Sequence, residues 1–247
     1  MLFEGALPTA ADPRIAERIA SRDWRRIARS LDEEGSALLK TLLTPEECRA
    51  LALSYSRDEG FRSRIVMERH GFGQGEYKYW AYPLPAIVAD LREALYRPLS
   101  EIANRWSAML GEGTRYPNRL AAYLERCHEA GQEKPTPLLL KYGAGDYNCL
   151  HRDLYGEHVF PLQVTILLSA PGKDFAGGEF ILVEGRPRRQ SRAEIVPLEQ
   201  GDGVIFPVRH RPLRGLRGFC RAELRHGVSR LRRGERYTLG IIFHDAK

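Results

Sequence analysis

Leu138-Leu139-Leu140-Lys141-Tyr142-Gly143-Ala144-Gly145-Asp146-Tyr147-Asn148-Cys149-Leu150-His151-Arg152-Asp153 reads as an apolar run of strand length, a glycine-containing turn and a second run ending in His-x-Asp. On an extended segment, side chains two apart point to the same side, so the imidazole of His151 and the carboxylate of Asp153 face one point in space. Two such donors do not complete a metal site. A third is available far along the chain, where His226 sits in Glu223-Leu224-Arg225-His226-Gly227-Val228-Ser229.

Two histidines and one carboxylate, with the opposite coordination positions open, form the facial triad of non-haem Fe(II) oxygenases. Ten residues after His226 comes Arg236, whose guanidinium suits two-pronged binding of a carboxylate. In this order, His151-x-Asp153, His226 and Arg236 resemble the Fe(II)/2-oxoglutarate-dependent dioxygenases. Lys141-Tyr142-Gly143 with Gly145 is similar to the lead-in strand of the prolyl-hydroxylase type, and Gly177-Gly178-Glu179-Phe180 is similar to the segment after the next long strand. The resemblance spans residues 137 to 245. A bacterial branch of predicted oxygenases acting on damaged DNA, distantly related to the AlkB enzymes, is the nearer likeness. AlkB enzymes carry a second arginine six residues after the first; here that position is Ile242. The short spacing from His226 to Arg236 is that of prolyl-hydroxylase-like enzymes.

The resemblance implies Fe(II) on His151, Asp153 and His226, with 2-oxoglutarate and O2 as co-substrates and Arg236 on the far carboxylate of 2-oxoglutarate. It further implies that Tyr142 bonds that carboxylate. Thr238, two residues after Arg236, offers a hydroxyl on the same side of the strand. Asn148 projects near the metal or serves a turn. His158 is the reserve ligand if His226 is not the third, but it lies in a loop. His210 falls in an arginine-proline turn and His244 beyond the arginine, while His70 and His128 read as structural or surface residues. The His-Arg-Asp triplet also occurs in kinase catalytic loops, but no downstream Asn and Asp-Phe-Gly follow.

The chain has 247 residues, 43% of them hydrophobic, enough for a globular core. No apolar run approaches the roughly 20 residues of a membrane span, and the first residues lack the pattern of a secretory leader. Cys48, Cys127, Cys149 and Cys220 form no Cys-x-x-Cys pair, which argues against a zinc ribbon or disulfide scaffold and places the protein in a reducing cytoplasm. The net charge is +6, and arginines crowd the stretch from Arg186 to Arg236. That stretch is either a polyanion-binding face, pointing to nucleic acid, or a set of solvated side chains.

Helical spacing runs over residues 12 to 31, a short strand follows from Gly35, and Thr44-Pro45-Glu46-Glu47 starts a helix reaching about Arg57. Arg62 to Tyr82 reads as two strands around Gly71-Phe72-Gly73-Gln74-Gly75; its aromatics pack in a sheet or form a substrate lid. Helices are expected over 85 to 110 and 118 to 130. From Pro137 the pattern is strands: Leu138 to Tyr142, Leu162 to Ser169, Glu179 to Val183, Ala193 to Leu198, Gly203 to Pro207, Glu223 to Val228 and Tyr237 to His244. The expected fold is α+β, with a double-stranded β-helix (jelly roll) core over residues 137–247 and a helical N-terminal region over 1–136 packed on it. Three functions remain open: oxidative demethylation of alkylated nucleic acid, hydroxylation of a protein or small molecule, and anion binding by a non-catalytic cupin-type module.

Overall fold

The computed structural model describes residues 13–186, 189–216 and 218–247. Arg188 and Arg217 of the basic stretch lie outside the described residues. The amphipathic stretch expected over 12–31 is two helices, α1 (Pro13–Ala20) and α2 (Trp24–Glu33). Asp23 separates them: its carboxylate caps α2 by accepting the Arg26 N–H at 2.9 Å. Strand β1 (Ala37–Leu39) is shorter than the apolar run, because Leu42 and Leu43 turn their N–H groups to the Gly201 carbonyl. Helix α3 (Pro45–Ser54) begins with the expected capping box, Thr44 and Glu47 each accepting the other's backbone N–H. Strands β2 (Phe61–Val66), β3 (Gly73–Gln74) and β4 (Glu76–Trp80) and helices α4 (Ala86–Leu110) and α5 (Leu120–Glu129) complete this half.

The strands that follow are β5 (Leu138–Tyr142), β6 (Tyr147–His151), β7 (Leu162–Leu167), β8 (Phe175–Gly177), β9 (Phe180–Gly185), β10 (Arg192–Val196), β11 (Gly203–Pro207), β12 (His210–Gly215), β13 (Gly218–Val228), β14 (Leu231–Gly234) and β15 (Arg236–Ile241). His210, read from sequence as part of a turn, opens β12 instead. Pro212 within it is tolerated because β12 pairs only with β13 and forms an edge.

A seven-stranded antiparallel sheet has the order β1-β11-β7-β15-β5-β4-β2, and a second sheet has the order β10-β9-β13-β6-β3 with β12 extending from β13. The two face each other as a double-stranded β-helix. Strands β1, β2, β3 and β4, from the N-terminal half, are hydrogen-bonded members of these sheets.

The apolar alternation in the large sheet marks its outer face. Leu162, Val164 and Ile166 of β7, Leu239 and Ile241 of β15 and Leu139 of β5 pack with Leu91, Leu95 and Leu99 of α4 in the main core. The intervening positions, Gln163 and Thr165 of β7 and Arg236 and Thr238 of β15, line the cavity between the sheets. The sheet is therefore covered on both sides, and its polar interior positions are the ones available for chemistry.

A buried ion pair ties the helices to the end of the large sheet. Arg92 of α4 donates to the Asp245 carboxylate at 2.7 Å, to the Ile242 and Phe243 carbonyls and to the Tyr82 hydroxyl. Asp245 also accepts from Tyr82 and pairs with His128 at 2.9 Å. Removing one member strands a charge in the core. Arg92→Met should therefore cost about 3–5 kcal/mol of unfolding free energy by urea titration; an unchanged midpoint would show that the pair does not clamp α4.

Candidate metal and co-substrate site

Strand β6 ends at His151, and Asp153 lies in the loop just past it. His226 stands opposite His151 in the β13–β6 ladder, with ring centroids 4.1 Å apart. The ladder shifts register between His226 and Val228, where a Cβ on Gly227 would meet the Asn148 carbonyl oxygen at 2.7 Å. Glycine at 227 thus lets β13 close on β6 and keeps the two imidazoles together. Asp153 completes the cluster, its oxygens 3.2 Å from Nε2 of His226 and 3.5 Å from Nε2 of His151. One ligand atom from each of the three residues lies within 4.8 Å of the others.

Hydrogen bonding and charge orient the donors. The Cys149 carbonyl accepts from Nδ1 of His151 at 2.8 Å, which places a proton there and turns Nε2 toward Asp153. Burial opposes charge on Asp153, but the two imidazoles outweigh it and hold the carboxyl well below its usual range. Burial pulls His151 down, and the Asp153 hydrogen bond and charge reverse this, leaving it raised. His226 is lowered, first by burial and then by the neighbouring His151. The carboxylate demands positive charge that the two imidazoles cannot both carry, so a divalent cation fits the donor set.

Arg236 projects from β15 into the same interior cavity as the triad. It is 1% exposed, no described carboxylate is within ion-pairing range, and its Nε has no hydrogen-bond partner. The nearest hydroxyl contact is Nη1 to Thr238 Oγ1 at 3.5 Å, too long for a strong bond. Burial brings the guanidinium down to about 10, still charged at neutral pH. Gly178, at φ 64°, keeps the cavity wall open beside it; a Cβ there would strike Leu231 at 2.2 Å and approach Arg236 Cδ to 3.0 Å. A buried guanidinium without an ion-pair partner, lining one cavity with the three-donor cluster, is uncompensated charge that a carboxylate would neutralise.

Tyr142 is fully buried in the same cavity, its ring centroid 5.6 Å from the Arg236 guanidinium and its hydroxyl accepting from Asn148 Nδ2 at 3.2 Å. Asn148 lies within β6, so its place is a strand face rather than a turn. The remaining histidines stand apart from the triad. His158 is held through its backbone by Gln132, His210 contacts Glu112, and His244 is buried where Nδ1 accepts from the Phe160 N–H. The aromatic segment divides likewise: Tyr79 and Trp80 are core residues, whereas Phe72 is exposed and stacks on His70.

Sequence reasoning missed Tyr155, which donates its hydroxyl to Asp153 Oδ1 at 2.8 Å and packs edge-on to Tyr79. A tyrosine two residues past His-x-Asp was the available signal. The bond occupies one carboxylate oxygen and leaves Oδ2, the one nearer His226, for a metal.

Residues 75–246 match the model of a family described as oxygenases catalysing oxidative methylation of damaged DNA. The chain belongs to this oxygenase family. It is 52% identical over 164 residues to Uncharacterized protein Rv2227 from Mycobacterium tuberculosis, covering 66% of this chain and 70% of that one. Its fold is that of a 2OG-Fe(II) oxygenase family oxidoreductase from Burkholderia pseudomallei, with TM-score 0.52 and 16% identity over 92% of this chain and 93% of that one. A prolyl hydroxylase from Trichoplax adhaerens, in complex with a hypoxia inducible factor peptide fragment, superposes with TM-score 0.50 and 13% identity over 96% and 94% of the two chains. The family is one of oxygenases and the fold is shared with 2OG-Fe(II) oxygenases, which together count against a non-catalytic binding module. No helix among the described residues is long and apolar enough to cross a membrane.

Because Tyr155 fixes the ligand carboxylate, Tyr155→Phe should weaken Fe(II) or Co(II) binding roughly 10–100-fold. The thermal midpoint should stay near that of the wild type. Equal metal affinity in a calorimetric titration would remove Tyr155 from the site.

Proposed function

We propose that the protein hydroxylates an N-methyl group on damaged nucleic acid, with His151, Asp153 and His226 holding Fe(II) and Arg236 binding 2-oxoglutarate. The observation that carries this reading is the buried, unpartnered guanidinium of Arg236 lining one cavity with the triad. A dicarboxylate would suit such a pair of sites: the triad residues would hold the metal at one end, and Arg236, with Thr238 and Tyr142 beside it, would hold the far carboxylate. When bound, the iron supplies activation of O2 coupled to decarboxylation of 2-oxoglutarate to succinate and CO2.

The chain's own residues bind, orient and exclude water. Arg236 receives the far carboxylate in a dry setting, where a charge-assisted pair is strong. The Cys149 carbonyl and the Tyr155 hydroxyl fix His151 and Asp153 before substrate arrives. Phe180 and Phe206 pack against His226, with ring centroids at 6.0 and 4.8 Å, and seal its far side from solvent. Placing one oxygen atom of O2 on an N-methyl carbon gives an N-hydroxymethyl group, which releases formaldehyde and leaves the demethylated nitrogen.

The family description supports damaged DNA over a protein substrate. The lack of an arginine at Ile242 distinguishes the site from AlkB enzymes and supports a separate branch. Four cysteines without disulfides suit a reducing cytoplasm as the place of action.

Arg236→Ala should weaken 2-oxoglutarate binding by about 2–5 kcal/mol, the usual result of truncating one partner of a buried charge pair. Metal binding should survive. An unchanged 2-oxoglutarate affinity by calorimetry would remove Arg236 from this role. His226→Ala should instead abolish metal binding; retained iron would show that the triad is not the site. Succinate release by the wild type should rise with N-methylated oligonucleotides. Release stimulated only by proline-containing peptides or free amino acids would overturn the nucleic-acid reading and leave the oxygenase assignment standing.

A further inference from the structure

Among the described residues, two buried side chains with an unpaired polar atom line the cavity of the triad: Arg236 and Gln163. The function proposed above uses Arg236 and leaves Gln163 without a role. Gln163 is 3% exposed, and its amide nitrogen Nε2 has no hydrogen-bond partner. A buried donor left unpaired is costly, and where it faces a cavity an acceptor on a ligand removes that cost.

Gln163 and Arg236 serve different parts of the cavity. On β7, Gln163 lies one residue beyond the Val164–Ile241 pair, whereas Arg236 lies five residues before Ile241 on β15. At about 3.4 Å per residue, the two stand roughly 17 Å apart along the strands. An extended five-carbon dicarboxylate is about as long as two strand residues, roughly 7 Å. A co-substrate gripped by Arg236 therefore stops short of the amide. Across the ladder Gln163 faces Phe206, whose ring centroid is 4.8 Å from that of His226. Cross-strand partners share a face, so the amide enters the cavity at the level of His226. His151 lines this cavity and also an outer one of about 550 Å³ bordered by Arg152 and Arg225, which gives a substrate its way in.

Resting on the demethylation reading above, we propose that Gln163 determines which methylated base is accepted, its amide donating to a ring carbonyl beside the N-methyl nitrogen. The unpaired atom sets the chemistry. An amide nitrogen donates and does not accept, so it calls for an acceptor on the base. 3-Methylcytosine has one, the C2 carbonyl beside its methylated N3. 1-Methyladenine has only a C2–H beside its methylated N1, and both bases carry an amino group on the other flank. With 1-methyladenine bound, the Gln163 N–H groups stay unpaired. A site built to hydrogen-bond a group rejects the analogue that lacks it.

The test uses the full chain with Fe(II) and 2-oxoglutarate and two single-stranded oligonucleotides, identical except for 3-methylcytosine or 1-methyladenine at the central position. Formaldehyde release gives kcat/KM for each. Gln163→Leu removes the donor at similar volume. In that variant the ratio of the 3-methylcytosine value to the 1-methyladenine value should fall roughly tenfold, the equivalent of one buried hydrogen bond, with the loss borne by 3-methylcytosine. Calorimetry on the Co(II)-loaded protein should show the same change in the ratio of the two binding affinities, at unaltered affinity for Co(II) and 2-oxoglutarate. Gln163→Met provides the same comparison if the leucine variant folds poorly. An unchanged ratio overturns the proposal. Equal losses on both oligonucleotides also overturn it, since they mark a structural side chain or one that holds water. A fall in 2-oxoglutarate affinity overturns it in favour of a co-substrate contact. Each of these outcomes leaves the demethylation reading standing. If the wild type responds to neither oligonucleotide, or only to peptides, the nucleic-acid reading fails and the Gln163 assignment falls with it.

Discussion

A guanidinium sealed inside a protein without a carboxylate beside it is costly, and Arg236 is such a group. The surrounding side chains compensate it only in part, through the faces of Tyr142 and Phe175 and a long contact to Thr238. Such a charge persists only where the backbone cannot collapse around it or swing it into water. Arg236 meets that condition because β15 lies between β7 and β5 in the middle of the large sheet. On the function proposed above, the counter-charge is the far carboxylate of the co-substrate, which has to be small enough to enter the sandwich, and the triad residues line the same cavity.

Holding β15 in place is the work of the N-terminal half. The helices cover the outer face of the large sheet, and β1, β2 and β4 widen that sheet so that the site strands lie in its interior. Arg92 links α4 to Ile242, Phe243 and Asp245 just after β15, and Arg211 links the Asp32 and Glu33 carbonyls of α2 to Glu184 of β9. Buried cations therefore serve two purposes here. Arg92 and Arg211 have protein partners and stabilise the fold, whereas Arg236 lacks one and is left for a ligand.

How much of this was legible in the sequence follows from which interactions are local. Helix α3 was readable because its capping box needs only Thr44 and Glu47. The split between α1 and α2 depended on one side chain, Asp23, against an otherwise continuous periodic pattern. The strands with long apolar runs were found; β6 was read only as an extended segment carrying His151 and Asp153, and β8, β12 and β14 were missed. The residues of β6 and β12 are polar and partly exposed, and β6 is specified by cross-strand partners seventy or more positions away. His151, Asp153, His226 and Arg236 stood out by type, order and spacing. Tyr155 offered only its place two residues past His-x-Asp, since a hydroxyl donating to Asp153 depends on how the loop after β6 turns back.

The arginine-rich stretch shows why charge counted along a chain is a poor guide to a binding face. Arg211 and Arg236 are buried, Arg186 pairs with Glu184, Arg209 and Arg152 share Glu223, and Arg221 is held by Glu112. Arg232 contacts Glu179, while Arg230 and Arg233 donate to the carbonyls of Gly145 and Gly172. Much of the apparent excess is thus spent on holding loops and strands together. Exposed pairs of this kind contribute little stability and exchange readily with solvent or phosphate, so they do not exclude a polyanion. They do rank the candidates, since an arginine without a carboxylate gives up nothing when a phosphate arrives. Besides the buried Arg236, among the described residues of the stretch Arg189, Arg214, Arg225, Arg230 and Arg233 have no carboxylate in ion-pairing range, and they are spread from the loop before β10 to β14 rather than gathered on one element. Position in the fold, which no count along the sequence reports, decides which of them can meet a partner.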